Sequence, residues 1–410
     1  MNRASFAVPW SAWFEDRLRS FSVPGQWDLE ICSVRGAPVA AADAVGQALE
    51  QPIGAKPLAE LAQGRKDACV VVEDITRPAR LAEILPTVLG ALHGAGIPRE
   101  RTRILVGVGG HAPLDRPRLV RKLGAPIVKG YDVWIHHPYE NLVDLGTSRR
   151  GIPIRINRHF HEADLKIAVG SVLPHPYAGF GGGAKIVLPG VSGIETLEAN
   201  HRPAVTGLRG GLGDVENNTA RDEMEEIALH AGLEAVVNVV TDDRRRTLGV
   251  FYGHPVHAHR AAVALARRAY ATPAPGKLAD VVVLNAFPKD GELLQVGNAF
   301  NVLRSARGPV VRPRGVVVVV AACPLGRGYH SLHGPSMRLY RTPIEREWLE
   351  GRPVIFHSPA LNAFDARVSF WEGYPFERTW AGVVRRVHGL VGASPRVAVF
   401  PCAPIQLLEG

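Results

Sequence analysis

Short runs of β-branched residues alternate with longer stretches of helical spacing from about residue 67 onwards. Residues 81–93 and 119–123 carry apolar side chains at i, i+3 and i+4, a spacing typical of amphipathic helices. Strands are predicted around these helices over residues 68–73, 103–108, 165–172 and 235–241. Because helices alternate with strands, the fold class is predicted to be α/β with mostly parallel sheets.

The clearest local signals surround one helix that follows residue 218. Asn218 or Thr219 can cap its first turn, and Met224 and Ile227 lie on its apolar face. Gly232 is suited to end it before the next strand. All of these signals agree on one strand-connecting helix.

Residues 271–278 contain two prolines and a glycine, which interrupt the helix predicted to end near Tyr270. We therefore predict an N-terminal domain over 1–270, a linker over 271–278 and a C-terminal domain over 279–410, since 410 residues exceed one usual core. Helices are predicted in the second domain over 294–303 and 344–349. The active site is expected in the cleft between the two α/β domains.

Composition is that of an ordinary globular protein, with 46% hydrophobic and 21% charged residues. No apolar run is long enough to span a bilayer, and the N-terminus lacks the apolar core of a signal peptide. We therefore expect a cytoplasmic protein with no membrane partner. The four cysteines form no C-x-x-C pair, so they are expected to be reduced and mostly buried.

The formal net charge of +9 raises the question of nucleic-acid binding. The arginines are dispersed in short groups such as 244–246, and aromatic residues are not interleaved with them. Because no groove-reading or base-stacking motif accompanies the charge, no nucleic-acid partner is expected. The charge suits an anionic substrate and cofactor better.

Two polar segments follow predicted strands, where ligands of open α/β sheets usually bind. The first predicted strand is followed by Asp74, Thr76 and Arg77. This pattern is typical either of an ordinary capped turn or of an arginine fork that binds a carboxylate or phosphate. His111 follows Gly107–Gly110 after the second strand, a position suited to acid/base chemistry. The glycines there lack the third glycine and the acidic residue of a dinucleotide site.

The most informative segment runs from Pro174 to Lys185 and includes His175 and the three glycines Gly181, Gly182 and Gly183. So many glycines let the backbone approach a bulky ligand closely. A nucleotide-phosphate loop is excluded, because such a loop needs Ser or Thr directly after its lysine and this chain has isoleucine. The spacing around Ser192 does not match a nucleophile elbow either.

His175, the glycine-rich loop with Lys185, the Pro-Gly pair at 189–190 and Asn200-His201 together resemble the signature of the nickel-dependent lactate racemase family. The segment 74–77 and His111 match further motifs of that family, in order and at compatible separations. The resemblance then continues weakly through the predicted linker, so it covers nearly the whole chain.

The resemblance implies a nickel-pincer nucleotide cofactor, pyridinium-3-thioamide-5-thiocarboxylic acid mononucleotide with nickel, joined covalently to Lys185. His201 would complete the square plane of the metal, and an imidazole with soft sulfur donors suits planar nickel. Residues matching the cofactor-binding set are Asp74, Thr76, Gly181, Gly182 and Gly183. Cofactor-biosynthesis proteins are implied as partners for loading.

The activity implied by the resemblance is inversion of carbon 2 of a 2-hydroxy acid by hydride transfer to the cofactor ring and back. His111 and His175 match the acid/base pair that exchanges the hydroxyl proton. Arg77 would bind the substrate carboxylate. The other histidines, including His254, His257 and His259, are expected to cap helices or face solvent.

The chain departs from the family pattern in the predicted second domain. Gln295 matches a substrate-binding position, but Leu294 stands where the family has tyrosine, and Asn298 where it has lysine. Asparagine exchanges a charge for a neutral donor and acceptor, which suits hydroxyls better than a carboxylate. We therefore expect a larger, polyhydroxylated acid of the aldonic type as the substrate, with Gln295 and Asn298 binding it.

Three alternatives remain. The first is a racemase of lactate or another short 2-hydroxy acid. The second is an NAD-dependent hydroxy-acid dehydrogenase, which would need a dinucleotide fingerprint that we do not find. The third is a non-catalytic protein that binds nickel or an organic acid through His201 and Arg77.

Overall fold

The structure is a computed structural model that describes residues 3–202 and 206–409. The strands described in it are, in chain order, β1 Arg3–Trp10, β2 Arg17–Pro24, β3 Asp28–Ile31, β4 Ala68–Glu73, β5 Thr102–Gly107, β6 Asp132–Ile135, β7 Leu142–Thr147, β8 Pro153–Asn157, β9 Leu165–Ser171, β10 Pro174–His175, β11 Ala178–Phe180, β12 Gly211–Leu212, β13 Ala235–Thr241, β14 Thr247–Gly253, β15 Ala271–Pro273, β16 Ala279–Asn285, β17 Val311–Val320, β18 Val354–His357, β19 Phe376–Glu377, β20 Arg396–Phe400 and β21 Leu407–Glu409.

The α-helices that the same residues form are α1 Ala44–Glu50, α2 Leu58–Ala62, α3 Leu81–Gly94, α4 Arg116–Leu123, α5 Ala125–Gly130, α6 Arg158–His161, α7 Ile194–Asn200, α8 Thr219–His230, α9 His257–Tyr270, α10 Leu293–Val296, α11 Asn301–Ser305, α12 Ala363–Ala366 and α13 Trp380–Val391. Short 3-10 turns occur at Arg99–Arg101, Gly183–Ile186, Gly297–Phe300 and Glu347–Leu349. Within the described residues, no helix combines the length and apolar character needed to cross a membrane.

The chain divides into two compact units, one formed by Ala37–Arg268 and the other by Met1–Gly36 together with Ala269–Gly410. This division differs from the predicted domain 1–270 over the first 36 residues. β3 pairs in parallel with β20, and the β1–β2 hairpin packs Phe6, Trp10 and Phe21 onto the sheet of the second unit. Long-range strand pairing and aromatic burial therefore place these residues with the C-terminal part.

The unit Ala37–Arg268 is built on a six-stranded sheet with the order β14-β13-β9-β4-β5-β6. Only the β13–β14 pair of this sheet is antiparallel. Every residue of β4 is buried, because helices cover both faces of a parallel sheet and a central strand then needs an almost continuous apolar run. The strands predicted at 68–73, 103–108, 165–172 and 235–241 are confirmed as β4, β5, β9 and β13 to within about a residue.

The other unit carries a parallel six-stranded sheet with the order β19-β18-β17-β16-β20-β3. The α/β fold class is thereby confirmed. The predicted linker includes β15, which pairs with β21, so its first residues belong to the fold of this unit. The predicted helix over 294–303 is broken into α10, a 3-10 turn and α11, since Gly297 and Asn298 are poor helix formers. The predicted helix over 344–349 is wrong, as only the turn Glu347–Leu349 forms.

The carboxyl ends of β9, β4 and β5 lie side by side in the sheet of the unit Ala37–Arg268. Each of these strands leads into one of the segments singled out by sequence, which contain Asp74, His111 and His175. Helix α8 is confirmed as well, with the side chain of Asn218 accepting the N–H of Arg221 at its N-terminus. The sheet order thus brings three polar loops to one edge.

Candidate functional site

The segment after β4 forms a connected network of hydrogen bonds. Asp74 is buried, and its Oδ1 accepts the backbone N–H of Thr76 at 3.0 Å and the Thr76 hydroxyl at 2.6 Å. Its Oδ2 lies 2.6 Å from Nδ1 of His111, which follows β5. Arg77 donates to the Thr76 hydroxyl at 2.7 Å. The structure therefore brings these four residues together, and Thr76 links the arginine to the aspartate.

The Asp74 carboxylate fixes the state of His111. Burial opposes ionisation of Asp74, but the charge and hydrogen bond of His111, with Arg77 and Thr76, outweigh it and hold the pKa of this carboxyl below its usual range. An ionised carboxylate accepts only, so the proton on His111 belongs on Nδ1. When the ring is neutral its lone pair is therefore on Nε2, the nitrogen that can act as a base, as in an Asp-His pair of a hydrolase.

Two buried cations hold the backbone of the same segment. Nζ of Lys122, on α4, donates to the carbonyls of Arg77 at 3.0 Å and Ala79 at 2.9 Å, and to Oε1 of Glu73 at 2.8 Å. Arg245 donates to the carbonyl between them, that of Pro78, at 3.1 Å. Three successive carbonyls are thus fixed by buried charges, which leaves the Arg77 segment little freedom.

Replacing Lys122 with methionine is expected to lower the free energy of unfolding by about 3–5 kcal/mol, because Glu73 would be left as an unpaired buried charge. Urea unfolding of the protein without cofactor measures the effect. A double variant, K122M with Glu73→Gln, is the matched control and should regain part of the loss. A loss below about 1 kcal/mol in the single variant, the scale of an exposed ion pair, would contradict this account of the segment.

His175 is held in the opposite tautomer to His111. Its Nδ1 accepts the backbone N–H groups of Tyr177 at 3.2 Å and Ala178 at 3.0 Å. A nitrogen that accepts two donors carries no proton, so the proton of the neutral ring is on Nε2. His111 therefore presents an acceptor and His175 a donor, which are the two states that an acid/base pair needs.

Lys185 lies in the 3-10 turn Gly183–Ile186 and is buried. Burial lowers the pKa of its amine well below the ordinary value of 10.5, and the charges of Arg77 and Arg221 add to this effect while Asp74 opposes it. Within the described part of the chain, no hydrogen bond or ion pair holds the amine. Burial without a hydrogen bond or ion pair favours the uncharged form of the amine, and the uncharged amine is the nucleophile.

The backbone carbonyls of the glycine-rich loop are held by buried side chains that the sequence did not indicate. Arg221 donates to the carbonyls of Phe180 at 3.3 Å and Gly182 at 3.1 Å, and Nε2 of His259 lies 2.9 Å from the carbonyl of Gly181. Arg221 and His259 are also in contact with each other. The expectation that His259 caps a helix or faces solvent is wrong, since it is fully buried.

Glycine itself is required at Gly182, which has a φ of 75°. An added Cβ would lie 2.7 Å from Val172 and 2.8 Å from Oδ1 of Asn238, and that oxygen accepts the N–H of Gly183 at 2.8 Å. The loop is therefore closely packed on its protein side.

His201 follows α7, and its Nδ1 lies 2.9 Å from the carbonyl of Leu197. A carbonyl accepts only, so this contact puts the proton on Nδ1 and the lone pair on Nε2, the form that binds a metal. The ring lies 5.5 Å from that of Tyr177, whose backbone N–H bonds to His175. Contacts thus connect His201 to the segment that leads into the glycine-rich loop.

Gln295 and Asn298 belong to the other unit. Gln295 is buried on α10, and the side-chain amide of Asn298 donates to its backbone carbonyl at 2.7 Å. Asn298 therefore stabilises the local turn as well as being a candidate substrate contact. The substrate-binding role predicted for both residues stays a prediction.

Comparisons with known proteins agree on one family. The family described as "Lactate racemase N-terminal domain" matches residues 14–210. A lactate racemase of Lactiplantibacillus plantarum is 30% identical over 297 residues, which cover 71% of this chain and 69% of that protein. A lactate racemase of Thermoanaerobacterium thermosaccharolyticum is 30% identical over 291 residues, covering 70% of this chain and 67% of that protein.

Solved structures show a similar fold. The lactate racemase apoprotein from Thermoanaerobacterium thermosaccharolyticum superposes with a TM-score of 0.78 at 23% identity, covering 99% of this chain and 100% of that one. A protein of Thermotoga maritima superposes with a TM-score of 0.67 at 16% identity, covering 90% and 98% of the two chains. The α/β fold is thus shared with both proteins over most of the chain.

Proposed function

The chain belongs to the lactate racemase family and is an isomerase, and we propose that it inverts carbon 2 of a 2-hydroxy acid at the site around Asp74, His111 and Lys185. One observation carries this proposal. Lys185 is a buried amine with a depressed pKa, and the charges that act on it include those of Asp74 and Arg77. Binding an organic acid would require the arginine but not a buried amine whose pKa is lowered.

We propose further that Lys185 tethers a nickel-pincer nucleotide. No group of three or more His, Cys, Asp or Glu residues suited to a metal occurs among the residues described here, so a bound nickel ion would take most of its donors from a ligand. His201 supplies one imidazole in the tautomer that coordinates. The residues present therefore fit a metal carried by an organic cofactor, and cofactor-biosynthesis proteins are the proposed partners for loading.

When bound, the cofactor would supply a hydride acceptor, which avoids removing a proton from a barely acidic carbon. The residues of this chain then have four tasks. Lys185 and His201 hold the cofactor, and Gly181–Gly183 let it approach the backbone. Arg77 binds the substrate carboxylate. The backbone of the Arg77 segment is itself held by Lys122 and Arg245.

The fourth task, the exchange of the substrate's hydroxyl proton, falls to the two histidines. Nε2 of His111 takes it, and the Asp74 carboxylate stabilises the imidazolium that forms. Nε2–H of His175 is the proposed proton donor to the same oxygen. The hydroxy acid would form again when the keto acid takes back both the hydride and this proton, and inversion follows because the planar keto acid has two faces.

The proposed substrate is a larger, polyhydroxylated acid of the aldonic type, and the observation in favour is the pair Leu294 and Asn298 in place of tyrosine and lysine. Lactate is the second candidate, because the relatives of 30% identity are named lactate racemases. The two candidates differ in what the residues around Gln295 and Asn298 would have to bind, which is several hydroxyl groups for an aldonic acid and only a short chain for lactate.

A panel of 2-hydroxy acids separates these candidates. The loaded enzyme is expected to turn over gluconate-type acids faster than lactate, malate or phenyllactate, and the variant Asn298→Lys should shift the kcat/KM ratio towards lactate by about tenfold, since a charge-assisted hydrogen bond replaces a neutral one. Chiral chromatography of the products measures both. Lactate turnover well above that of the sugar acids would instead establish the second candidate.

A further inference from the structure

The side chain of Asn200, the last residue of α7, is fully buried and unsatisfied. Both its amide oxygen and its amide nitrogen lack a hydrogen-bond partner within the described residues. Nearly all buried polar side-chain atoms in native proteins are paired, so an amide with neither atom paired needs a specific explanation. A ligand that supplies the missing hydrogen-bond partners when it binds is such an explanation.

Other buried asparagines of the same unit show the contrast. Asn218 is equally buried, and its Oδ1 accepts the N–H of Arg221 at 2.8 Å while its Nδ2 donates to the carbonyls of Tyr177 at 2.8 Å and Asp214 at 2.9 Å. Asn238, which accepts the N–H of Gly183 through Oδ1, leaves only its Nδ2 unpaired among the described residues. For Asn200, neither amide atom is paired among them.

Local contacts fix Asn200 beside the proposed nickel ligand. The hydroxyl of Tyr177 donates to the backbone carbonyl of Asn200 at 2.5 Å. The next residue, His201, has its Nδ1 on the carbonyl of Leu197, and its ring lies 5.5 Å from that of Tyr177. These contacts hold the backbone of Asn200 next to His201, and the burial of its side chain keeps the amide away from solvent.

We propose that Asn200 is a binding residue for the cofactor, which its amide contacts through a polar group next to His201. The amide offers an acceptor and two donors and carries no charge, so it orients a polar group without changing the charge around the metal. This inference rests on the proposed function, since it takes the cofactor to be a nucleotide tethered at Lys185.

The protein without cofactor provides the first test. Replacing Asn200 with leucine, which has a similar branched shape, removes an amide that makes no bonds, so the midpoint of thermal unfolding is expected to rise by about 2 °C. The matched control, Asn218→Leu, removes a fully bonded amide and is expected to lower the midpoint. If Asn200→Leu does not fold, Asn200→Ala takes its place, with an unchanged midpoint expected because the lost side-chain packing offsets the gain.

The loaded protein provides the second test. Wild type and Asn200→Leu are produced with the cofactor-biosynthesis proteins, and the intact mass gives the fraction of chains with an adduct on Lys185. Nickel per adduct-bearing chain is then followed during dialysis against a chelator. The variant is expected to lose nickel roughly 10–100-fold faster than wild type, the scale on which neighbouring hydrogen bonds tune metal affinity.

The outcomes are distinct. A higher unfolding midpoint without cofactor, combined with faster nickel loss, supports the proposal. A lower midpoint with unchanged nickel retention would overturn it, and would assign to Asn200 a structural role through a buried water. A wild type that carries neither adduct nor nickel contradicts the proposed function instead, so the two failures are separated.

Discussion

Replacing Lys185 with methionine is expected to abolish racemisation, reducing it to the uncatalysed background, and to leave the protein without bound nickel. The amine is the only proposed covalent attachment point for the cofactor, and methionine fills the same buried space without a nucleophile. Racemisation of the best substrate by the variant, produced with the cofactor-loading proteins, measures the effect. Wild-type rates in this variant would contradict a tether at Lys185.

Unfolding of the same variant without cofactor tests whether its fold is intact. The pKa of Lys185 is depressed in the folded protein, so between that pKa and the ordinary 10.5 the unfolded chain binds one more proton than the folded one. The contribution of Lys185 to stability therefore falls as the pH is lowered through this window. Lys185→Met is expected to be more stable than wild type at neutral pH, with a difference that shrinks as the pH approaches 10.5.

Replacing His111 with glutamine is expected to lower kcat by about 10²–10⁴-fold, the usual contribution of a positioned general base. Glutamine keeps hydrogen-bonding capacity but cannot take the hydroxyl proton. Both directions of the reaction should slow, because each turnover removes the proton and returns it. Initial rates starting from each pure enantiomer measure this effect.

His230→Gln is a suitable control, because His230 is an exposed histidine of α8 in the same unit. Its kcat should equal that of wild type, and the His111 variant should carry as much nickel as wild type. A kcat within a factor of about three of wild type for His111→Gln would remove His111 from the acid/base role, whereas loss of nickel would indicate a role in cofactor binding.

Sequence predicted well what local composition determines. The Val-rich runs of β4 and β13 are typical of buried strands, and the segments after β4 and β5 were singled out because open α/β sheets bind ligands beyond the carboxyl ends of their strands. The contacts among Asp74, Thr76, Arg77 and His111 agree with that expectation.

The placement of the first 36 residues could not be predicted, because the pairing of β3 with β20 joins positions more than 360 residues apart. Local spacing carries no signal of such a partner. For the helix expected over 344–349, the exposed Ile344 finds no core to pack against. An apolar pattern predicts a helix only where another element covers its apolar face.

The supporting shell of the site was missed for a different reason. Lys122, Arg221 and His259 are ordinary surface residue types, and they act through backbone carbonyls that a sequence does not display. One signal existed. Arg221 and Glu225 share the buried face of α8 with Met224 and Ala228, and a charged pair at i, i+4 on an apolar face indicates a buried ion pair.

The buried side chains of Lys122, Arg245, Arg221 and His259 have a common effect on the two loops proposed to carry the chemistry. Lys122 and Arg245 bind the carbonyls of residues 77–79, and Arg221 and His259 bind those of residues 180–182. Carbonyls held in this way keep Arg77 and Lys185 in place before any ligand binds. Such preorganisation is what allows a charged site to stabilise a reacting group without first rearranging.

The proposed covalent attachment of the cofactor to Lys185 is tested most directly by mass spectrometry. The peptide that contains Lys185 is taken from wild-type protein produced with the cofactor-biosynthesis proteins. We expect a covalent increment on Lys185 equal to the mononucleotide, together with about one nickel per chain in the intact protein. An unmodified Lys185 in protein that nevertheless inverts a 2-hydroxy acid would contradict it.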